Sequence, residues 1–146
     1  MAINPALETL IELATNETDE AAKRLGLAVR ACEDTEQKLA MLLQYREEYE
    51  ARFQASLLSG VTAAGYRNFQ LFLDKLDTAI AGQQRILDDA KRRIVDERSQ
   101  WQSCERKRMS YDTLATRMQK VEERKANKRD QKLMDEFATR QSNYKR

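Results

Sequence analysis

The stretch Ser59-Gly60-Val61-Thr62-Ala63-Ala64-Gly65 decides how the chain folds. It holds two of the four glycines in 146 residues and lies between two long runs that share one apolar period. Upstream, alternating steps of four and three residues from Leu7 pass through Ile11, Ala14, Thr18, Ala21, Leu25, Ala28, Cys32, Thr35, Leu39, Leu42, Arg46, Tyr49 and Phe53. Downstream, the same steps lead from Tyr66 through Phe69, Leu73, Leu76, Ile80, Gln83, Leu87, Ala90, Ile94, Glu97, Trp101, Cys104, Arg108, Tyr111 and Ala115 to Met118. A 3.5-residue apolar period sustained over many heptads belongs to supercoiled helices, and a glycine just past such a run is where an α-helix ends. Two runs hinged on one turn predict an all-α fold, a long antiparallel two-helix coiled coil whose second helix overhangs at the C-terminus. Helix 1 is expected over about 5–58, the turn over about 59–65 and helix 2 over about 66–140, with Asn4 capping a helix that begins at Pro5.

Composition supports this outward from the turn. Ala, Glu, Lys, Leu and Arg supply about half of the residues, and one proline with four glycines is too few for the turns of a sheet fold. Charged residues at 34% and aromatics at 7% can fill a seam between helices but not a broad core. Histidine is absent, which removes the commonest general base and transition-metal ligand, so no enzyme activity, metal or cofactor is expected. Two unrelated cysteines, no secretory segment and no apolar run of about 18 residues predict a reduced cytoplasmic protein that does not span a membrane.

The net charge of +2 hides two arms of opposite sign: residues 1–59 carry more acids than bases, residues 60–146 the reverse. Opposite arms attract when antiparallel, which favours a monomeric hairpin over a parallel homodimer. With the turn centred on residue 62, paired positions sum to about 124 at the helical rise. Tyr45 is then expected near Ala79, Tyr49 near Lys75 and Leu76, and Cys32 too far from Cys104 for a disulfide. The rule leaves residues from about Lys120 onward without an internal partner, a basic overhang carrying Leu133, Met134 and Phe137 on one face. Docking and fraying are equally open for it on composition. Leu42, Tyr45 and Tyr49 recur at helical spacing opposite Phe72, Leu76 and Ala79, and these stripes either widen the seam or form an outer patch. The runs Lys91-Arg92-Arg93 and Arg106-Lys107-Arg108 are interleaved with acids, so no nucleic-acid partner is expected.

The order of Ala6-Leu7-Glu8-Thr9-Leu10, Ala21-Ala22 with Leu25-Gly26, Met41-Leu42 with Tyr45 and Tyr49, Asn68 through Ile80, and Asp130-Gln131-Lys132-Leu133-Met134-Asp135-Glu136-Phe137-Ala138 resembles the FliJ family. That family comprises coiled-coil components of the bacterial flagellar type III export apparatus. The resemblance implies a non-enzymatic, stalk-like protein whose free helix ends enter the hexameric flagellar export ATPase and promote its assembly and activity. It further implies contact with the export gate protein FlhA, handling of export chaperones, and a cytoplasmic place, peripheral to the inner face of the cell membrane at the flagellar base. Carried over, the gate surface would be Leu42, Tyr45, Tyr49, Phe72, Leu76 and Ala79. The ATPase-facing end would comprise Leu7, Leu10, Leu13, Met118, Val121, Leu133, Met134 and Phe137. The alternatives are a virulence type III secretion stalk protein, a structural coiled-coil homodimer and a nucleic-acid-binding rod.

Overall fold

A computed structural model describes residues 4–145. Two helices account for them, α1 (Pro5–Ser59) and α2 (Ala63–Tyr144), with no strand among the described residues. The first starts as its sequence dictates. Asn4 Oδ1 accepts from the Ala6 amide at 3.1 Å and the Asn4 carbonyl accepts from Leu7 at 2.9 Å, so two of the amides left over at a helix N-terminus have partners.

Gly60 terminates α1 with φ of 94°, a left-handed conformation that costs a side-chain-bearing residue free energy. The turn is shorter than the seven residues expected. α2 begins at Ala63 because Thr62 caps it: the Thr62 hydroxyl accepts from the Gly65 amide at 3.1 Å and its carbonyl from Tyr66 at 2.9 Å. Gly65 therefore lies in the first turn of α2, not in the loop, and α2 also runs four residues past the expected end.

The chain packs as two units, Glu20–Trp101 and the pair of segments Met1–Asp19 with Gln102–Arg146. In the first, α1 and α2 run antiparallel along the predicted seam. Ala21, Ala28, Cys32, Thr35 and Phe53 are buried on α1, with Leu76 and Ile80 on α2. Nearer the N-terminus small residues dominate, and nearer the turn aromatic rings do. Thr35 tolerates burial because its hydroxyl donates to the Ala31 carbonyl at 2.8 Å, leaving no orphaned polar atom. Gln83, a polar seam residue, donates across the interface to the Thr35 carbonyl at 3.4 Å. Arg46, the one charge in the upstream run, is held by Asp77 of α2 and by Glu50 at 3.0 Å. Glu97 Oε2 is buried without a hydrogen bond, and its compensation is the Arg24 guanidinium at 3.4 Å.

The shorter turn is centred on residue 61, one residue before the expected centre. Tyr45 packs on Phe72, and Tyr49 on Phe69 and Phe72. Charge does not sort by arm as expected either. Arg24 with Glu97 and Arg46 with Asp77 set a cation of the acidic arm on an anion of the basic arm. Sparse countercharges on each helix, not the net sign of each arm, decide these pairings.

In the unit formed by the chain ends, Leu7, Ala14 and Thr18 are buried on α1 and Ala115 on α2. Thr18 again donates to the carbonyl four residues back, at 2.8 Å. Lys107 reaches Glu17 at 3.9 Å, an inter-helix pair that does follow the net charges of the arms. Arg108, a charged seam residue, donates to Glu105 and Asp112. That hydrogen bond holds the Glu105 carboxyl below the usual carboxylate range, and Glu105 in turn raises the guanidinium further. From Thr116 to Lys145 every residue but Ala126 is exposed.

Because a Cβ at Gly60 would meet no atom within 4 Å, Gly60→Ala isolates the conformational cost of the left-handed residue. It is expected to destabilise the chain by about 1–2 kcal/mol, read as a lower urea midpoint with an unchanged slope.

Candidate functional site

Spacing of three and four residues puts Leu42, Tyr45 and Tyr49 on the side of α1 that meets Phe72, and the rings pack. Tyr49 and Phe72 centroids are 4.4 Å apart, Tyr49 and Phe69 5.2 Å, and Tyr45 meets Phe72 edge-on at 6.1 Å. Phe53 continues the cluster toward the turn through Phe69 at 5.1 Å and Tyr66 at 5.4 Å. These geometries are favourable for ring quadrupoles and fix the rings against one another. The six residues picked as a gate surface divide by burial. Leu76 is buried in the seam; Leu42, Tyr49 and Phe72 are half-buried; Tyr45, at 45% exposed, and Ala79 face outward. The stripes thus do both things allowed for them, filling the seam on one side and opening outward on the other.

Beside Tyr45 lies a groove of about 610 Å³ lined by Lys38, Met41, Leu42, Gln44, Tyr45, Glu48 and Gln83. Met41 and Glu48 were missed as surface residues, although each stands one helical step from Tyr45, at the spacing that found Leu42 and Tyr49. The aromatic cluster itself extends to Phe53, Tyr66 and Phe69, all three visible beforehand as seam positions.

At the open end the eight expected residues also divide. Leu7 turns into the seam and is buried, whereas Leu10, Leu13, Met118 and Val121 are exposed. Leu133, Met134 and Phe137 are each more than 60% exposed. Continuing the seam step past Met118 reaches Glu122, Lys125, Arg129 and Lys132, so the seam becomes charged where its partner helix ends. Leu133, Met134 and Phe137 lie off that phase. Their apolar stripe is a separate face of the helix, with Phe137 and Tyr144 lining a further shallow surface pocket with Arg140.

The Cys32 thiol is not poised for chemistry. Both cysteines are free, and burial pushes the Cys32 thiol above its ordinary pKa, which suppresses the reactive thiolate. Among the described residues no group of three His, Cys, Asp or Glu side chains could hold a metal ion, and no helix is long and apolar enough to cross a membrane.

The fold and surfaces together define a class: a two-helix coiled-coil protein that exposes aromatic and aliphatic side chains outside its seam. Within that class the chain belongs to the FliJ family, whose sequence pattern, described as Flagellar FliJ protein, matches residues 3–146. The Flagellar FliJ protein of Escherichia coli (strain K12) is 32% identical over 140 residues, covering 96% of this chain and 95% of its own. That of Salmonella typhi is 33% identical over the same extent. Family membership makes the chain a flagellar export component and not an enzyme.

Tyr49 touches three rings and Tyr45 two, and Tyr49 is the more buried. Tyr49→Ala is therefore expected to cost about 2–3 kcal/mol and Tyr45→Ala about 1 kcal/mol or less, measured by chemical denaturation.

Proposed function

We propose that the chain acts in flagellar protein export as a stalk-like protein that binds the export ATPase ring with its open end and the export gate with its aromatic patch, and that it takes part in handling export chaperones at the inner face of the cell membrane. The observation that carries this reading is the exposed apolar stripe on the unpartnered end of α2. An isolated helix is marginal in water, and large apolar side chains on it gain most when another protein covers them. Residues Leu10, Leu13, Met118, Val121, Leu133, Met134 and Phe137 supply that contact, and Leu7 contributes by fixing the first turns of α1 beneath it. Binding that favours the assembled ring over free subunits stabilises the ring by mass action. Tyr45 with Phe72, backed by Tyr49 and Leu76 and bordered by Leu42 and Ala79, forms the anchor for the gate protein FlhA, as buried aromatic anchors do at protein interfaces.

Truncation after Met118 removes the exposed stripe and leaves the seam. The shortened chain is expected to melt as a hairpin but to lose most stimulation of a hexameric flagellar export ATPase, scored by ATP hydrolysis and by co-sedimentation. Full stimulation by that chain would refute the role given to the overhang. Tyr45→Ala combined with Phe72→Ala is expected to weaken capture of the gate protein's cytoplasmic portion at least tenfold in a pull-down while leaving ATPase stimulation unchanged.

A further inference from the structure

The overhang of α2 carries a heptad of its own. Steps of four and three residues from Ala126 pass through Asp130, Leu133, Phe137 and Arg140 to Tyr144, one residue out of phase with the charged continuation of the seam. All six lie beyond the reach of α1: with the turn centred on residue 61, Pro5 stands beside about residue 117. Ala126 is half-buried and the other five are exposed, Leu133 and Phe137 by more than 60% and Tyr144 by 94%.

Read backwards, this heptad complements itself. In one antiparallel register, with paired positions summing to 270, Ala126 of each copy meets Tyr144 of the other, Asp130 meets Arg140, and Leu133 meets Phe137. A small residue faces a large one, an acid a base and an aliphatic chain a ring, each twice about a two-fold axis. A parallel pair would set Asp130 against Asp130 and Arg140 against Arg140. Asp130 finds no cation on its own helix, since Ala126, Asn127, Leu133 and Met134 occupy the positions three and four residues away. The pocket near the end of α2 supplies the other half: Phe137, Arg140, Gln141 and Tyr144 are spaced as the four residues of a coiled-coil hole, and Lys145 adds a second cation. The register brings Asp130 of the second copy to that hole. On the flanks Met134 meets its own copy, and so does Glu136, where Lys132 one turn back offsets the like charge. The overlap ends near residue 124, about seven residues or roughly 10 Å short of the start of α1, so the two hairpins do not collide.

We infer that two copies of the chain associate tail to tail, their overhangs forming an antiparallel two-stranded coil in which Asp130 on Arg140 sets the register. From Lys120 onward each chain carries nine basic and five acidic side chains, whose net repulsion keeps the dimer weak and its tails releasable. The pairing covers Leu133, Met134 and Phe137, the residues given above to the ATPase, so the two associations exclude each other. The self-pairing itself does not rest on the ATPase reading.

Sedimentation equilibrium of the purified full chain tests it with no export component present. A monomer–dimer equilibrium is expected across about a hundredfold range of concentration. Asp130→Arg and Arg140→Asp are each expected to weaken the dimer at least tenfold, since either change sets like charges together at both ends of the coil. Mixing the two variants is expected to restore it, because a mixed pair matches both contacts. Phe137→Asp, and truncation after Met118, should leave monomer at every concentration. Circular dichroism establishes that each variant keeps its helices; all three substituted side chains are exposed in the single chain. Monomer throughout, an undiminished dimer in either charge variant, no recovery on mixing, or a dimer of the truncated chain overturns the inference. Because no ATPase is present, failure of the role given to the overhang in ATPase stimulation would leave this result standing.

Discussion

In each unit, the seam between α1 and α2 is the apolar interface that the described residues form, and a helix with one neighbour can bury one stripe of side chains. Burial there must do the work of a whole core. This explains why seam positions are so consistently apolar and why their polar exceptions are answered. Thr18 and Thr35 return their hydroxyls to the backbone, Gln83 reaches across to a carbonyl, and Arg46, Glu97 and Arg108 each hold a countercharge. An unanswered polar group in so thin an interface would cost a large share of its stability. The same constraint forces every further apolar side chain outward, which is why Tyr45, Leu133 and Phe137 are available to other molecules.

Register follows from the turn. Three residues separate the helices, and Gly60 and Thr62 fix their facing ends. With so short a connection the aromatic side chains near it have little freedom in choosing partners, and Phe72 meets Tyr49 and Tyr45 because the turn delivers it there. Further along, where α1 offers alanines, the charged pair Arg24–Glu97 adds the positional information that small apolar residues lack, as Arg46–Asp77 does nearer the turn.

Much of this was legible in the sequence because a heptad reads out burial directly. Each upstream position from Leu7 to Phe53 is buried or half-buried, and downstream only the terminal Tyr66 and Met118 are exposed. The turn was misjudged in length because glycines marked it and Thr62 did not. A capping threonine is recognised by where its hydroxyl points, whereas Gly65 was counted as loop although it sits without strain inside a helix. Centring the turn one residue earlier lowers the sum of paired positions by about two. In the candidate site, the nearness of Tyr45 to Phe72 was visible, but the grooves were not. They depend on which side chains leave space beside their neighbours, a property of pairs across helices that no single strand of sequence displays.

The change of phase at Met118 bears on motion as well as on binding. An untethered two-helix coil can slide by whole heptads, whereas here the three-residue turn already fixes one end. At the open end, any displacement of α1 toward the C-terminus would press Leu7 and Ile11 against Glu122 and Lys125 and strip those charges of water. The charged continuation of the seam therefore disfavours such a displacement, and the stripe of Leu133, Met134 and Phe137 lies on another face of α2. Whatever covers that stripe need not compete with α1, so the hairpin can stay shut while its tail is gripped.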